Sequence, residues 1–172
     1  AAAVLLLGLR GTPFLYAGEE LGLEDAVVAE DRVVDPGGRD GCRAPLPWTA
    51  GAGHGWPAEP WLPWPPDAAA RSVEAQRRDP ASILHLYRRL LALRRSTPAL
   101  AAGDLRLVHA DGAVVAWERR LGDDRRVVAV NFSGTEAPLA LEGEWVAEVT
   151  SDDDDRWAGV LGPDRAVVLR PA

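Results

Sequence analysis

The sequence predicts an α/β segment followed by an all-β domain, and three observations carry that prediction. An apolar run of helix formers at 1–9 is followed by a short apolar run at 12–17, the pattern of a buried helix, a tight turn and a buried strand. A second helical periodicity begins at Asp79-Pro80 and stops at Thr97-Pro98. Beyond Gly103 the apolar period changes to two, which marks antiparallel strands with one covered face.

Taken in order, AAAVLLLGL (1–9) is apolar on nearly all sides and reads as the end of a buried helix. Arg10 puts a cation in its last turn and Gly11 supplies the C-cap. TPFLYA (12–17) has the profile of a strand covered on both faces, with Pro13 at its first positions, and Gly18 stops it. Glu19 and Glu20 follow at the strand's C-terminal end, where α/β folds of this kind place functional residues. Neighbours on an extended chain point to opposite sides, so one of the two can line a site but the pair cannot converge on one atom.

An acidic loop fills 21–32, and 49–67 holds Trp56, Trp61 and Trp64 among prolines and glycines. Such rings either stack on sugar faces or anchor the loop, and anchoring is the preferred reading. Ser72 can cap a short helix through Arg78, and Asp79-Pro80 offers an N-cap and N1 for the next. There Ile83, Leu84, Tyr87, Leu90, Leu91 and Arg94 share one face, while Arg88, Arg89 and Arg95 lie toward water. Strands are expected at 105–109, 114–120 and 126–132, joined by turns at Asp111-Gly112 and Gly122-Asp123-Asp124, with shorter ones at 139–141, 145–149 and 166–169. Alternation such as Val115-Ala116-Trp117-Glu118 fits a small antiparallel sandwich. The acid run 152–155 reads as a solvated turn, and no metal site is expected there.

The 172 residues carry a net charge of −7 and are 47% hydrophobic, enough for one core or two modest ones. Net acidity argues against a nucleic-acid partner. No stretch reaches the ~20 apolar residues of a membrane span. All 19 basic residues are Arg, which reads as coding bias, so the arginines cannot all hold special roles. The lone Cys42 reads as a buried or inert thiol in a reducing compartment, and the cytoplasm is expected. Methionine is absent, so the chain is expected to be the tail of a longer protein.

The stretch around which the rest is organised is DPGGRDGCRAPLPW, 35–48. Its three glycines and three prolines exclude regular structure, and its stiff end favours a loop fixed in one shape. Arg39, Arg43, Asp35 and Asp40 make it a candidate binding loop, or a surface loop whose charges pair with each other.

With these parts placed, the chain resembles the C-terminal portion of a family 13 glycoside hydrolase, in the α-glucosidase and oligo-1,6-glucosidase group. GTPFLYAGEELG (11–22) is similar to the family's eighth barrel strand, GRDGCRAPLPW (38–48) to the loop after it, and 82–93 to the last barrel helix. The strands beyond, with VAVNFS at 128–133, resemble the C-terminal β-domain. Ala17 departs from the glutamine common at its position. The resemblance implies the last βα unit of a (β/α)8 TIM barrel over 1–100 and a C-terminal antiparallel β-sandwich over 101–172. It further implies retaining hydrolysis of α-glucosidic bonds through an aspartate nucleophile and a glutamate acid. Those carboxylates, and a third, follow the fourth, fifth and seventh strands, ahead of Ala1, so this chain is expected to hold no catalytic residue. The implied substrate is an α-glucoside or a malto- or isomalto-oligosaccharide, and the implied partner is the N-terminal barrel of the same protein. No cofactor is implied. Arg43 is expected to hold the non-reducing-end glucose, with Arg39 and Asp40 shaping the same loop. Alternatives are a non-catalytic carbohydrate-binding module and a fragment of a related transglycosylase such as trehalose synthase.

Overall fold

A computed structural model describes residues 1–152 and 154–172. The chain forms two compact units, one from Ala1–Phe14 with Leu86–Ala172 and the other from Leu15–His85.

The first unit is built on a five-stranded antiparallel sheet: β1 (Asp104–Asp111), β2 (Val114–Leu121), β3 (Asp124–Asn131), β5 (Trp145–Thr150) and β7 (Ala166–Pro171). Their spatial order is β1-β2-β3-β7-β5. Gly112 and Gly122, both at positive φ, close the first two hairpins at the turns read from the sequence. The period of two then sorts the side chains. Trp117, Val128, Val130 and Val168 face a core shared with the helices α1 (Ala2–Gly8), α3 (Ile83–Ser96) and α4 (Pro98–Ala102). Ala116, Val127, Ala129, Val167 and Leu169 face a second core, closed by a ribbon of β4 (Ala137–Pro138) and β6 (Val160–Leu161). The expected sandwich is therefore uneven, five strands against two, and the expected strand at 139–141 lies two residues earlier. Gly8 lets α1 approach β3, since a Cβ there would meet Val128 at 2.8 Å.

The end of α1 is closed differently from the expectation. No cation sits in its last turn, and its C-cap is Leu9. Two arginines from distant elements take that place. Arg94 of α3 donates through Nη1 to the carbonyls of Leu7 (2.6 Å) and Leu9 (2.9 Å), and through Nη2 to that of Gly11 (2.5 Å). Arg119 of β2 donates through Nη1 to Gly8 (2.9 Å) and Leu9 (2.8 Å), and through Nη2 to Gly103 (3.0 Å). Trp117 Nε1 adds a bond to Gly8, 3.0 Å. These donors satisfy carbonyls that a helix end leaves free. Arg119 is 0% exposed, and desolvation first, then repulsion from Arg94, moves its pKa below the ordinary value.

In the second unit, α2 (Val73–Arg78) is capped by Ser72, whose hydroxyl accepts from Ala75 N at 3.2 Å, as the sequence indicates. Two expectations are corrected. The next helix starts at Ile83 rather than at Asp79-Pro80. Asp79 instead accepts from Ala81 N in a turn, and the Ser82 hydroxyl reaches His85 N at the helix start. Residues 12–17 form no strand, and Phe14 is 85% exposed. A strand exists only by pairing, and among the described residues nothing pairs with this run. In the acid run, Asp154 pairs with Arg156 and Asp152 with Arg165, while Asp153 lies outside the described residues. Among the described residues no helix is long and apolar enough to cross a membrane.

Replacing Arg94 by Met is expected to cost about 2 kcal/mol, because the buried carbonyl of Leu7 and the part-buried one of Gly11 lose their donor. The double variant Arg94→Met, Arg119→Met should lose more than the sum of the singles. In each single, Leu9 keeps one donor and the remaining arginine is relieved of a like charge; the double loses both. Urea unfolding of the four proteins checks this, and additive losses would exclude the shared cap.

Candidate functional site

The candidate loop is organised by one carboxylate. Asp35-Pro36-Gly37-Gly38 makes a turn, closed by Gly38 N donating to Asp35 O at 2.9 Å with Gly38 at positive φ. That turn brings Arg39 back over Asp35. Asp35 Oδ2 accepts from Arg39 Nε (2.8 Å) and backbone N (2.9 Å), and Oδ1 accepts from Arg39 Nη2 (2.7 Å). Arg43 Nη1 lies 3.5 Å from the same Oδ1. The Arg39 hydrogen bonds, side chain first and backbone second, hold the Asp35 carboxyl down at about 2, and the Arg43 charge adds to them.

Asp40 works from inside the loop. It is 3% exposed, and its Oδ2 accepts from the backbone N–H groups of Val34 (2.7 Å) and Asp35 (2.9 Å). It therefore fixes the segment that presents Asp35. Gly41–Arg43 is a single 3-10 turn. Gly41 O accepts from Ala26 N at 3.1 Å, and a Cβ on Gly41 would stand 2.7 Å from Ala26 O. The loop is thus pinned by close backbone approach to the preceding acidic segment. The expectation of a buried Cys42 is corrected: the residue is exposed, and its thiol donates to Arg39 O at 3.1 Å.

Beside the loop lies a cavity of about 220 Å³, lined among others by Tyr16, Glu19, Glu24, Asp25 and Cys42. Glu19 and Glu20 sit on a 3-10 turn, and only Glu19 lines this cavity; Glu20 Oε2 is taken by Gly18 N at 2.9 Å. Arg71 bonds Glu24 at 2.9 Å and also the carbonyl of Gly22. The tryptophans divide by role. Trp56 donates through Nε1 to Leu46 O (2.8 Å) and meets Trp64 edge-on, and Trp64 also packs against His54 at 4.5 Å. Those two anchor the segment after the loop by these contacts, although Trp56 stays 41% exposed, beside 50% for Trp48 and 58% for Trp61.

The structure brings Arg39, Arg43 and Asp40 into one loop and adds Asp35 as their common hub. The signal was present in the sequence as an Asp-to-Arg spacing of four around Pro-Gly-Gly, which a turn converts into a fork-to-carboxylate pair.

Residues 1–103 match the family described as α-amylase, catalytic domain. A probable α-glucosidase of Rhizobium meliloti is 39% identical over 149 residues, 81% of this chain and 27% of that protein. A glucan 1,6-α-glucosidase of Streptococcus pneumoniae is 30% identical over 174 residues, 84% of this chain and 32% of that protein. Among solved structures, the α-glucosyl transfer enzyme XgtA superposes with a TM-score of 0.88 at 33% identity, over 99% of this chain and 35% of that one. The chain thus spans about a quarter to a third of the length of these curated relatives.

Asp35 should titrate near pH 2 in a carboxyl-carbon NMR titration, below the ordinary ~3.9 of an aspartate. Because its folded pKa is lowered, its contribution to stability is complete above about pH 4 and fades as pH falls through about 2. Arg39→Ala should move the midpoint upward; a wild-type midpoint at the ordinary value would dissolve the proposed hub.

Proposed function

The chain belongs to the α-amylase catalytic-domain family of glycoside hydrolases, and from that premise we propose that the protein is a retaining α-glucosidase releasing terminal α-linked glucose from oligosaccharides. In this proposal residues 1–100 close the (β/α)8 barrel, residues 101–172 are its C-terminal β-domain, and this chain supplies part of the sugar pocket. The nucleophilic aspartate and the acid glutamate, ~5–5.5 Å apart in retaining enzymes, belong to earlier barrel strands. An exposed free thiol at Cys42 supports a reducing compartment, the cytoplasm.

One observation carries the reading. Asp35 clamps Arg39 with two parallel hydrogen bonds but holds Arg43 at only 3.5 Å. Arg39 is committed to the loop, whereas Arg43 is oriented and retains free N–H groups. A planar guanidinium fixed on one side bridges adjacent sugar hydroxyls at set angles on the other. Asp40, spent on backbone N–H groups, acts as the stay of this arrangement. Relatives whose names give α-glucosidase and glucan 1,6-α-glucosidase activity support an α-glucosidic substrate.

In the full-length protein, Arg43→Lys is expected to lower kcat/KM for p-nitrophenyl α-glucoside at least tenfold, about 1.4 kcal/mol of transition-state stabilisation. A lysine keeps the charge and the pairing with Asp35 but loses the fork. Unchanged kinetics in a folded variant would remove Arg43 from the pocket. Product analysis with a sugar acceptor present separates hydrolysis from glucosyl transfer.

A further inference from the structure

We propose a second carbohydrate site, on the β-domain and centred on Trp157, that binds glucose units of an α-glucan away from the Asp35 loop. A shallow cleft of about 610 Å³ is lined by Trp145 and Trp157, with Leu139, Ala140 and Leu141 between them. Past Trp145 it continues into a more polar cleft of about 360 Å³ that brings in Arg106, Glu118, Arg125 and Glu142; Ala140, Leu141 and Trp145 line both. Each cavity falls within the size range of small-molecule sites.

The two tryptophans differ in how far their valences are used. Trp145 donates its indole N–H to Glu142 O at 3.0 Å, and its ring carries the Arg125 guanidinium 5.1 Å from the centroid. Trp157 packs against the second core yet stays half-buried, and its indole N–H has no partner among the described residues. The carboxylate of Glu144, on the same cleft, likewise has none. Gly143 and Gly159, both at positive φ, leave the rim without side chains.

A sugar ring presents an apolar C–H face bordered by hydroxyls. A flat indole with a free donor, a free carboxylate acceptor and a guanidinium held over an aromatic ring match that pattern. The charges also select the ligand. Arg106 and Arg125 are balanced by the two carboxylates of the same cleft, Glu118, bonded to Arg125 at 2.8 Å and to Arg106 at 3.2 Å, and Glu142, so the cleft offers no net positive field to a polyanion. A neutral polyol is what remains. The choice of α-linked glucose over other neutral glycans rests on the α-glucosidase function proposed above.

Affinity electrophoresis of the full-length protein tests this, in gels containing a soluble α-1,4-glucan or a soluble β-glucan, beside turnover of p-nitrophenyl α-glucoside. The α-glucan should retard the wild type. Trp157→Ala should weaken that retardation at least fivefold and Glu144→Gln about threefold, with kcat/KM for the small substrate within twofold of wild type. Trp157→Phe should keep part of the affinity, which separates stacking from misfolding. Equal retardation of wild type and Trp157→Ala, no retardation of the wild type, or equal retardation by the β-glucan would each overturn the site. Retardation that depends on Trp157 without turnover would leave the site standing and remove the enzymatic function; turnover without it would do the reverse.

Discussion

The first unit depends on a helix end that its own sequence does not finish. Helix α1 stops at Gly8 with no cation in its last turn and no side-chain cap, and its final carbonyls point into the fold. Burying them unpaired costs about as much as the gain from several apolar contacts. Arg94 and Arg119 supply the donors from α3 and β2, elements that follow α1 by most of a domain's length. Neither guanidinium has a carboxylate partner among the described ion pairs, in a chain that is otherwise acid-rich. The helix dipole and a ring of carbonyls serve as the counter-charge instead. Arginine suits this role better than lysine, because one planar group reaches three carbonyls and is less costly to desolvate. Burial lowers both pKa values, but from so high a start that the groups stay charged.

The loop unit inverts that arrangement. There one carboxylate, Asp35, gathers two guanidiniums, and a second, Asp40, gathers two backbone N–H groups. The inversion has a functional consequence. Arginines turned onto backbone carbonyls become structure: Arg94 and Arg119 spend both terminal nitrogens on them, and the buried Nε of Arg119 is left without a partner among the described residues. Arginines sharing a single carboxylate leave donors over, and Arg43 is the more weakly held of the two, which is what its proposed role in the sugar pocket rests on.

Much of this was legible in the sequence where the determinant is local. The Ser72 cap, the hairpin turns at Gly112 and Gly122, and the alternation that puts Trp117 on one face and Glu118 on the other follow from residue type and period. Arg94 falls on the buried face of its helix in the sequence pattern, but what it serves there could not be read, since its partners lie more than eighty residues away. Arg119 is hidden more deeply still: it sits in a run of charged residues whose alternation looks like a solvated strand end. The helix start shows the opposite failure. Asp79-Pro80 carries a local helix signal, yet Asp79 Oδ1 closes a turn on Ala81, and Ser82 takes the cap.

The run at 12–17 is the most informative discrepancy. Its composition is that of a strand buried on both faces, but it has no ladder, and Phe14 is the most exposed of its large apolar residues. A helix closes its hydrogen bonds within itself, so α1 forms as soon as its end is capped. A strand borrows its bonds from neighbours, so an apolar profile records the surroundings for which a segment is built rather than a shape it holds alone. That difference explains how one stretch of sequence contains a helix that is present and a strand that is not. It also agrees with the barrel assignment: exposed Phe14, Leu15 and Tyr16 are the apolar surface that adjoining parallel strands and their helices would cover.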